Sequence, residues 1–224
     1  MERQQVLGIF AKWPEAGHVK TRLAAATSAA WAAEVARAFL LDTLERMAGL
    51  DARRVLVFTP PSAARQLAPL ASCYELIPQV DGSLGQRMAS FLARQLQDGT
   101  REVVLIGADS PTLPVAYVRQ AFAALAQADV VLGPSTDGGY YLLGCRERVP
   151  PIFDGISWSG PTVLWETITR LSSPEWRLAL LPPWYDVDTL DDWHMLQGHL
   201  AALRRAGQPE DAPNTWRLIT HPRP

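Results

Sequence analysis

Residues 103–109 read V-V-L-I-G-A-D, an uninterrupted apolar run that stops at a glycine and a carboxylate. A strand apolar on both faces must be covered on both faces, which is the condition of a central parallel strand, and it delivers its last side chain to the carboxyl edge of the sheet. In open α/β sheets that edge is where ligands bind. Further short apolar runs at 6–10, 54–59, 74–77, 129–132 and 178–181 predict strands, and 140–145 predicts a strand of a different kind, set off by the turn-forming Thr136-Asp137-Gly138-Gly139. Between them, helices are predicted over 61–70, 84–96, 114–126, 162–171 and 190–205. Another begins after a cap at Thr27 or Ser28, with Trp31, Val35, Phe39, Leu40, Leu44 and Met47 as its core face. Strand alternating with helix demands a mainly parallel, twisted sheet with helices on both faces. A chain of 224 residues suits one such domain, expected over 1–206, and the Pro-rich stretch 207–224 reads as a partly unordered tail.

A net charge of −2 supplies no field for nucleic acid or an anionic membrane, so phosphate contacts must come from a local cluster. Cys73 and Cys145 have no metal-ligand spacing and are expected to be reduced and structural. No signal h-region and no span of about 18 apolar residues is visible, so a cytoplasmic protein is expected.

The cluster lies directly after the first strand: Lys12-Trp13-Pro14-Glu15-Ala16-Gly17-His18-Val19-Lys20-Thr21-Arg22-Leu23. Cations and backbone amides at a strand end suit phosphate. It is not a Walker A loop, since Val19 precedes Lys20, and no Gly-x-Gly-x-x-Gly is present, which argues against a nicotinamide or flavin site. Asp109 ends the central strand; Asp186 and Asp188, two apart on a predicted strand, would share a face with each other. Hard carboxylate oxygens of this kind suit Mg²⁺ or Mn²⁺ bridging a diphosphate. Thr189 and Asp192 read instead as the capping box of the last helix. Asp137 with Gly138 and Gly139 forms a tight turn where backbone can approach a sugar or phosphate, and Gly85 and Arg87 stand at a helix start where a flat base and an acidic group could be met.

In order, K-W-P-E-A-G-H-V-K-T-R-L, S-L-G-Q-R-M, I-G-A-D-S-P-T-L, G-P-S-T-D-G-G-Y-Y-L-L-G, I-S-W-S and D-V-D-T-L-D-D-W resemble a bacterial family of glycosyltransferase A-type proteins, related to nucleotide-diphospho-sugar transferases. Some members are labelled arsenosugar biosynthesis glycosyltransferases. The resemblance implies a single nucleotide-diphospho-sugar transferase fold, more distantly similar to molybdenum-cofactor and phospholactate guanylyltransferases. It implies that the first loop holds nucleotide phosphates, that Asp109 binds the divalent ion and that residues 186–189 complete the metal site. Ser83 stands where the family often has an acidic residue, and Gly160 where threonine is usual.

The leading expectation is thus a metal-dependent glycosyltransferase using a nucleotide sugar and a small-molecule acceptor. In it Asp109 and Asp188, with Asp186, hold the ion; Lys12, Gly17, Lys20, Thr21 and Arg22 clamp phosphates; Gly85 and Arg87 serve the nucleotide; Asp137, Gly138 and Gly139 serve the sugar or acceptor; and Asp109, Asp137 and Lys20 carry the chemistry. The alternative is a nucleotidyltransferase that joins a nucleoside triphosphate to a phosphorylated substrate. A third is a noncatalytic nucleotide-sugar binder. The nucleobase, the acceptor and the oligomeric state are left open.

Overall fold

The computed structural model describes residues 5–97, 100–208 and 212–221; the expectations for the first four residues and for 209–211 and 222–224 of the tail lie outside it. Among the described residues the predicted alternation builds seven strands: β1 (Gln5–Lys12), β2 (Arg53–Thr59), β3 (Glu75–Pro78), β4 (Glu102–Gly107), β5 (Val130–Pro134), β6 (Tyr140–Arg146) and β7 (Leu178–Leu180). They form a sheet in the order β3-β2-β1-β4-β6-β5-β7. All neighbours run parallel except β6, which is antiparallel to both β4 and β5. The 140–145 run is indeed the odd strand.

The helices are α1 (Thr21–Ala26), α2 (Ala29–Met47), α3 (Ala64–Leu67), α4 (Leu84–Gln97), α5 (Val115–Leu125), α6 (Val163–Arg170), α7 (Leu190–Arg205) and α8 (Pro213–Thr220). Alternation along β4 shows how the sheet is covered. Val104 and Ile106 join the core formed with α2, α3 and α5, whereas Val103 and Leu105 join the core under α4. Ser28, not Thr27, caps α2, accepting the Trp31 amide at 3.2 Å. On the predicted core face of α2, Val35, Phe39, Leu40, Leu44 and Met47 are buried, and Trp31 is half-buried against Trp193.

Two features depart from the expectation. The basic loop is not loop throughout, because Leu23 is fully buried and draws Thr21 and Arg22 into the short helix α1. The tail holds a packed helix, α8, whose Trp216, Leu218 and Ile219 join α1, α2 and α7 in a third apolar cluster. Its N-terminus docks on Asp42 of α2, a buried carboxylate that accepts the Asn214 and Thr215 amides at 2.9 and 2.8 Å and the Thr215 hydroxyl at 2.6 Å. Proline at the first turn and a carboxylate for the orphan amides are standard helix-start chemistry, with the cap supplied here by another helix.

Of the cysteines, Cys145 is buried in β6 and burial pushes its thiol up to about 12, while Cys73 is exposed, so only the first fits a structural role. No helix among the described residues is long and apolar enough to cross a membrane.

Candidate active site

The strand order reverses between β1 and β4, so the segments leaving their carboxyl ends diverge and leave a crevice. A cavity of about 410 Å³ occupies it. Its walls carry the apolar side chains of Phe10, Leu84, Met88, Tyr140 and Trp158 and the charged ones of Lys12, Arg22, Asp109, Asp186 and Asp188, with Asp137, Gly139 and Arg87 as well. An apolar chamber with a few convergent charges is the usual form of a small-molecule site.

The charged cluster is assembled by three chain segments. The first leaves β1 through turns closed by Glu15 N to Trp13 O and His18 N to Glu15 O. Buried Val19 and Leu23 then anchor the backbone on either side of Lys20, which adopts left-handed φ and ψ of 47° and 46°. Its side chain is drawn inward, only 4 % exposed, with Nζ 5.5 Å from the centre of the Phe39 ring. The second segment is Asp109 beyond β4, whose carbonyl accepts the Val187 amide at 3.1 Å. That bond fixes the third segment, residues 185–188, alongside. The run is not a strand, yet it is extended and alternates: Tyr185 and Val187 point into the core, while Asp186 and Asp188 line the crevice. The capping box of α7 is present and fixes Asp188 further, since Asp192 accepts the Asp188 and Thr189 amides at 3.0 and 2.8 Å.

The centre of this arrangement is a cation shared by two carboxylates. Lys20 Nζ pairs with Oδ1 of Asp109 and, at 2.8 Å, with Oδ1 of Asp188, whose other oxygen lies 3.6 Å from Arg22. Burial lowers the affinity of Lys20 for its proton, but the Asp109 and Asp188 charges outweigh it, and the pKa stands above that of an ordinary lysine. Burial likewise raises Asp188, and Lys20 and Arg22 overcome it to hold the carboxyl below its usual value. Asp186 is different. It accepts hydrogen bonds from the hydroxyls of Ser110 and, at 3.0 Å, Ser135, and burial pushes it up to about 6.

Of the other predicted residues, Asp137, Gly139 and Arg87 reach the cavity walls, whereas Gly17, Thr21, Gly85 and Gly138 do not. Gly17 sits exposed at the turn with φ of 82°, Thr21 is exposed on α1, and neither lines the cavity. Gly85 is buried beneath Trp158: a Cβ there would lie 2.7 Å from the indole and 2.8 Å from the Phe153 carbonyl, so the space its bare Cα leaves is taken by protein. Gly138, at φ of 93°, packs against the Pro161 carbonyl, where a Cβ would come within 2.0 Å. Asp137 folds back on its own turn, accepting the Gly139 amide at 2.9 Å. Arg87 donates to the Gly82 carbonyl at 2.9 Å and Gln79 Oε1 at 3.3 Å. Sequence reasoning gave no role to Ser110, Ser135, Gln79 or Trp158; the first two and the last lie within motifs quoted for the resemblance, I-G-A-D-S-P-T-L, G-P-S-T-D-G-G-Y-Y-L-L-G and I-S-W-S, while nothing marked Gln79.

The pattern defining a family described as an uncharacterized protein conserved in bacteria (DUF2064) matches residues 40–160, more than half of the chain. The chain belongs to this family. A 3-phospho-D-glycerate guanylyltransferase of Phenylobacterium zucineum (strain HLK1) is 36% identical over 136 residues, 58% of this chain and 62% of that protein, so the match spans less than two thirds of the relative. A crystal structure from Desulfovibrio desulfuricans G20, named for a nucleotide-diphospho-sugar transferase, superposes with a TM-score of 0.86 at 31% identity, over 96% of this chain and 95% of that one. CMP:2-keto-3-deoxy-manno-octonic acid synthetase, solved with CTP, shares the fold at a TM-score of 0.58 and 11% identity, over 89% of this chain and 99% of that one. The fold is the nucleotide-diphospho-sugar transferase fold.

Among the described residues, no group of three or more His, Cys, Asp and Glu side chains is placed to hold a metal unaided. Asp109 and Asp188 nevertheless fit an ion of the Mg²⁺ kind, which characteristically takes one or two carboxylates and fills its remaining positions with substrate phosphate and water. Their side chains are 56 % and 34 % exposed, open to an ion arriving from the crevice.

Proposed function

We propose that the chain is a metal-dependent nucleotidyltransferase that joins a nucleoside triphosphate to a small phosphorylated acceptor and releases pyrophosphate. The observation that carries this reading is the convergence of Lys12, Lys20 and Arg22 with Asp109 and Asp188 at the switch point, on a cavity also lined by apolar side chains. The relation to a guanylyltransferase favours transfer of the nucleotidyl group, and GTP with 3-phospho-D-glycerate is the first substrate pair to test.

In this reading Lys12 and Arg22 bind the triphosphate from the β1 side, and Asp109 and Asp188 hold the divalent ion with its phosphates. The ion, once bound, supplies positive charge to the α-phosphoryl group and to the departing pyrophosphate. An acceptor phosphate oxygen attacks the α-phosphorus, the bond from that phosphorus to the oxygen bridging to the β-phosphorus breaks, and both electrons leave with pyrophosphate. The attacking phosphate is already ionised, so no general base is needed; this agrees with an Asp137 engaged in its own turn rather than standing free. Electrostatic positioning carries the rate.

Glycosyl transfer is the second reading, favoured by likeness over nearly the whole chain to the D. desulfuricans structure, which is named for a nucleotide-diphospho-sugar transferase. Product identity separates the two. With Mg²⁺, GTP and phosphorylated acids, pyrophosphate should appear together with a new diphosphate diester. Release of nucleoside diphosphate from a nucleotide sugar, with no pyrophosphate from any triphosphate, would overturn the nucleotidyl reading.

A further inference from the structure

The cation that Asp109 and Asp188 share here is an ammonium of the protein itself. A divalent ion cannot take both carboxylates while Lys20 keeps them, because the two cations would repel at contact distance within a partly buried site. The lysine therefore needs somewhere to go. A second cavity of about 220 Å³, lined by Lys12, His18, Lys20, Asp109 and Asp188, adjoins the crevice along the shared residues Lys12, Asp109 and Asp188. The backbone at Lys20 is pinned between buried Val19 and Leu23, so the freedom lies in its flexible four-carbon stem.

We propose that Lys20 is an exchangeable counter-ion: it neutralises Asp109 and Asp188 in the nucleotide-free protein, then passes to the nucleotide phosphates as the divalent ion takes the carboxylates. Building on the metal–nucleotide reading, this makes the two ligands interdependent. Metal alone must displace an ammonium that has no replacement partner, whereas metal with nucleotide supplies one. By linkage, each ligand tightens the other.

Mn²⁺ binding to the protein without nucleotide, followed by electron paramagnetic resonance, isolates the exchange. Lys20→Met should bind Mn²⁺ at least about tenfold more tightly than wild type, as expected when a contact-range unit charge is removed. Lys20→Gln should do the same, while Lys20→Arg, which keeps the charge, should stay near wild type. Adding Asp109→Asn to Lys20→Met should abolish the gain. In wild type GTP should tighten Mn²⁺ binding strongly, and in Lys20→Met that enhancement should shrink while GTP affinity falls. Unchanged or weaker Mn²⁺ binding in both neutral variants, a gain in Lys20→Arg as well, or a gain indifferent to Asp109 would overturn the exchange. A wild-type Mn²⁺ affinity that responds to nucleotide sugars but to no triphosphate, with the neutral-variant gain intact, would overturn only the nucleotidyl reading.

Discussion

At the scale of single residues, the site is a set of charges whose meaning depends on partners far away in sequence. Lys20 reads locally as one more cation in a basic turn, and Asp109 as a strand-end carboxylate; only folding shows that they neutralise each other. The acidic residues and loop cations were legible because carboxylates at strand ends and cations after a first strand are unusual enough to stand out. Ser110 and Ser135 lie within quoted motifs but their role was not legible, since each is an ordinary serine until it meets Asp186 from 76 and 51 positions away. Trp158, though it stands within I-S-W-S, likewise showed no role until its indole closed over Gly85. That contact gives a prediction. Gly85→Ala adds a methyl where the indole and the Phe153 carbonyl already stand, and it should cost about 1–3 kcal/mol in urea unfolding, the usual penalty of overpacking. A neutral effect would mean that Trp158 moves away freely.

At the scale of elements, strand and helix positions were legible from apolar periodicity, and the capping box of α7 from Thr189 and Asp192. Helix α8 was missed because proline-rich flanks resemble a tail and because its stabilising cap, Asp42, belongs to α2. Asp42→Ala leaves the first amides of α8 without an acceptor, and hydrogen bonds to a charged partner are worth more than neutral ones, so a loss of about 2–4 kcal/mol is expected. Hydrogen exchange should accelerate in α8 ahead of the sheet. The edge strand β7 is tied in by Asp129, which pairs with the Arg177 guanidinium at 3.0 Å and accepts its amide at 2.9 Å. Arg177 holds this carboxyl at about 2, below its ordinary value of 3.8. A depressed carboxyl binds fewer protons folded than unfolded, so its stabilisation is complete above about 4 and drains away as pH falls towards 2. Asp129→Asn should therefore melt lower than wild type at neutral pH, with the gap narrowing below pH 4; a gap independent of pH would rule out the ion pair as its source.

At the scale of the whole molecule, the fold class followed from alternation, but the strand order did not, because apolar runs carry no record of which neighbour they pair with. The insertion of antiparallel β6 between β4 and β5 is what sets the far wall of the crevice, with Tyr140 from β6 itself and Asp137 and Gly139 from the turn before it. The closed packing of the sheet has a simple signature in the thiols: Cys73 should react quickly with a disulfide reagent in the native protein, and Cys145 only on unfolding. Two fast thiols would contradict the burial of β6. The central claim is that side chains from the ends of β1 and β4 and from the segment before α7 meet at one metal–nucleotide site. Calorimetric titration of GTP into wild type and Asp109→Asn, each with Mg²⁺ and with chelator, tests it most directly. Tight, Mg²⁺-dependent binding in wild type and weak, Mg²⁺-indifferent binding in a folded Asp109→Asn is the predicted result, and full Mg²⁺ dependence surviving in the variant would contradict it.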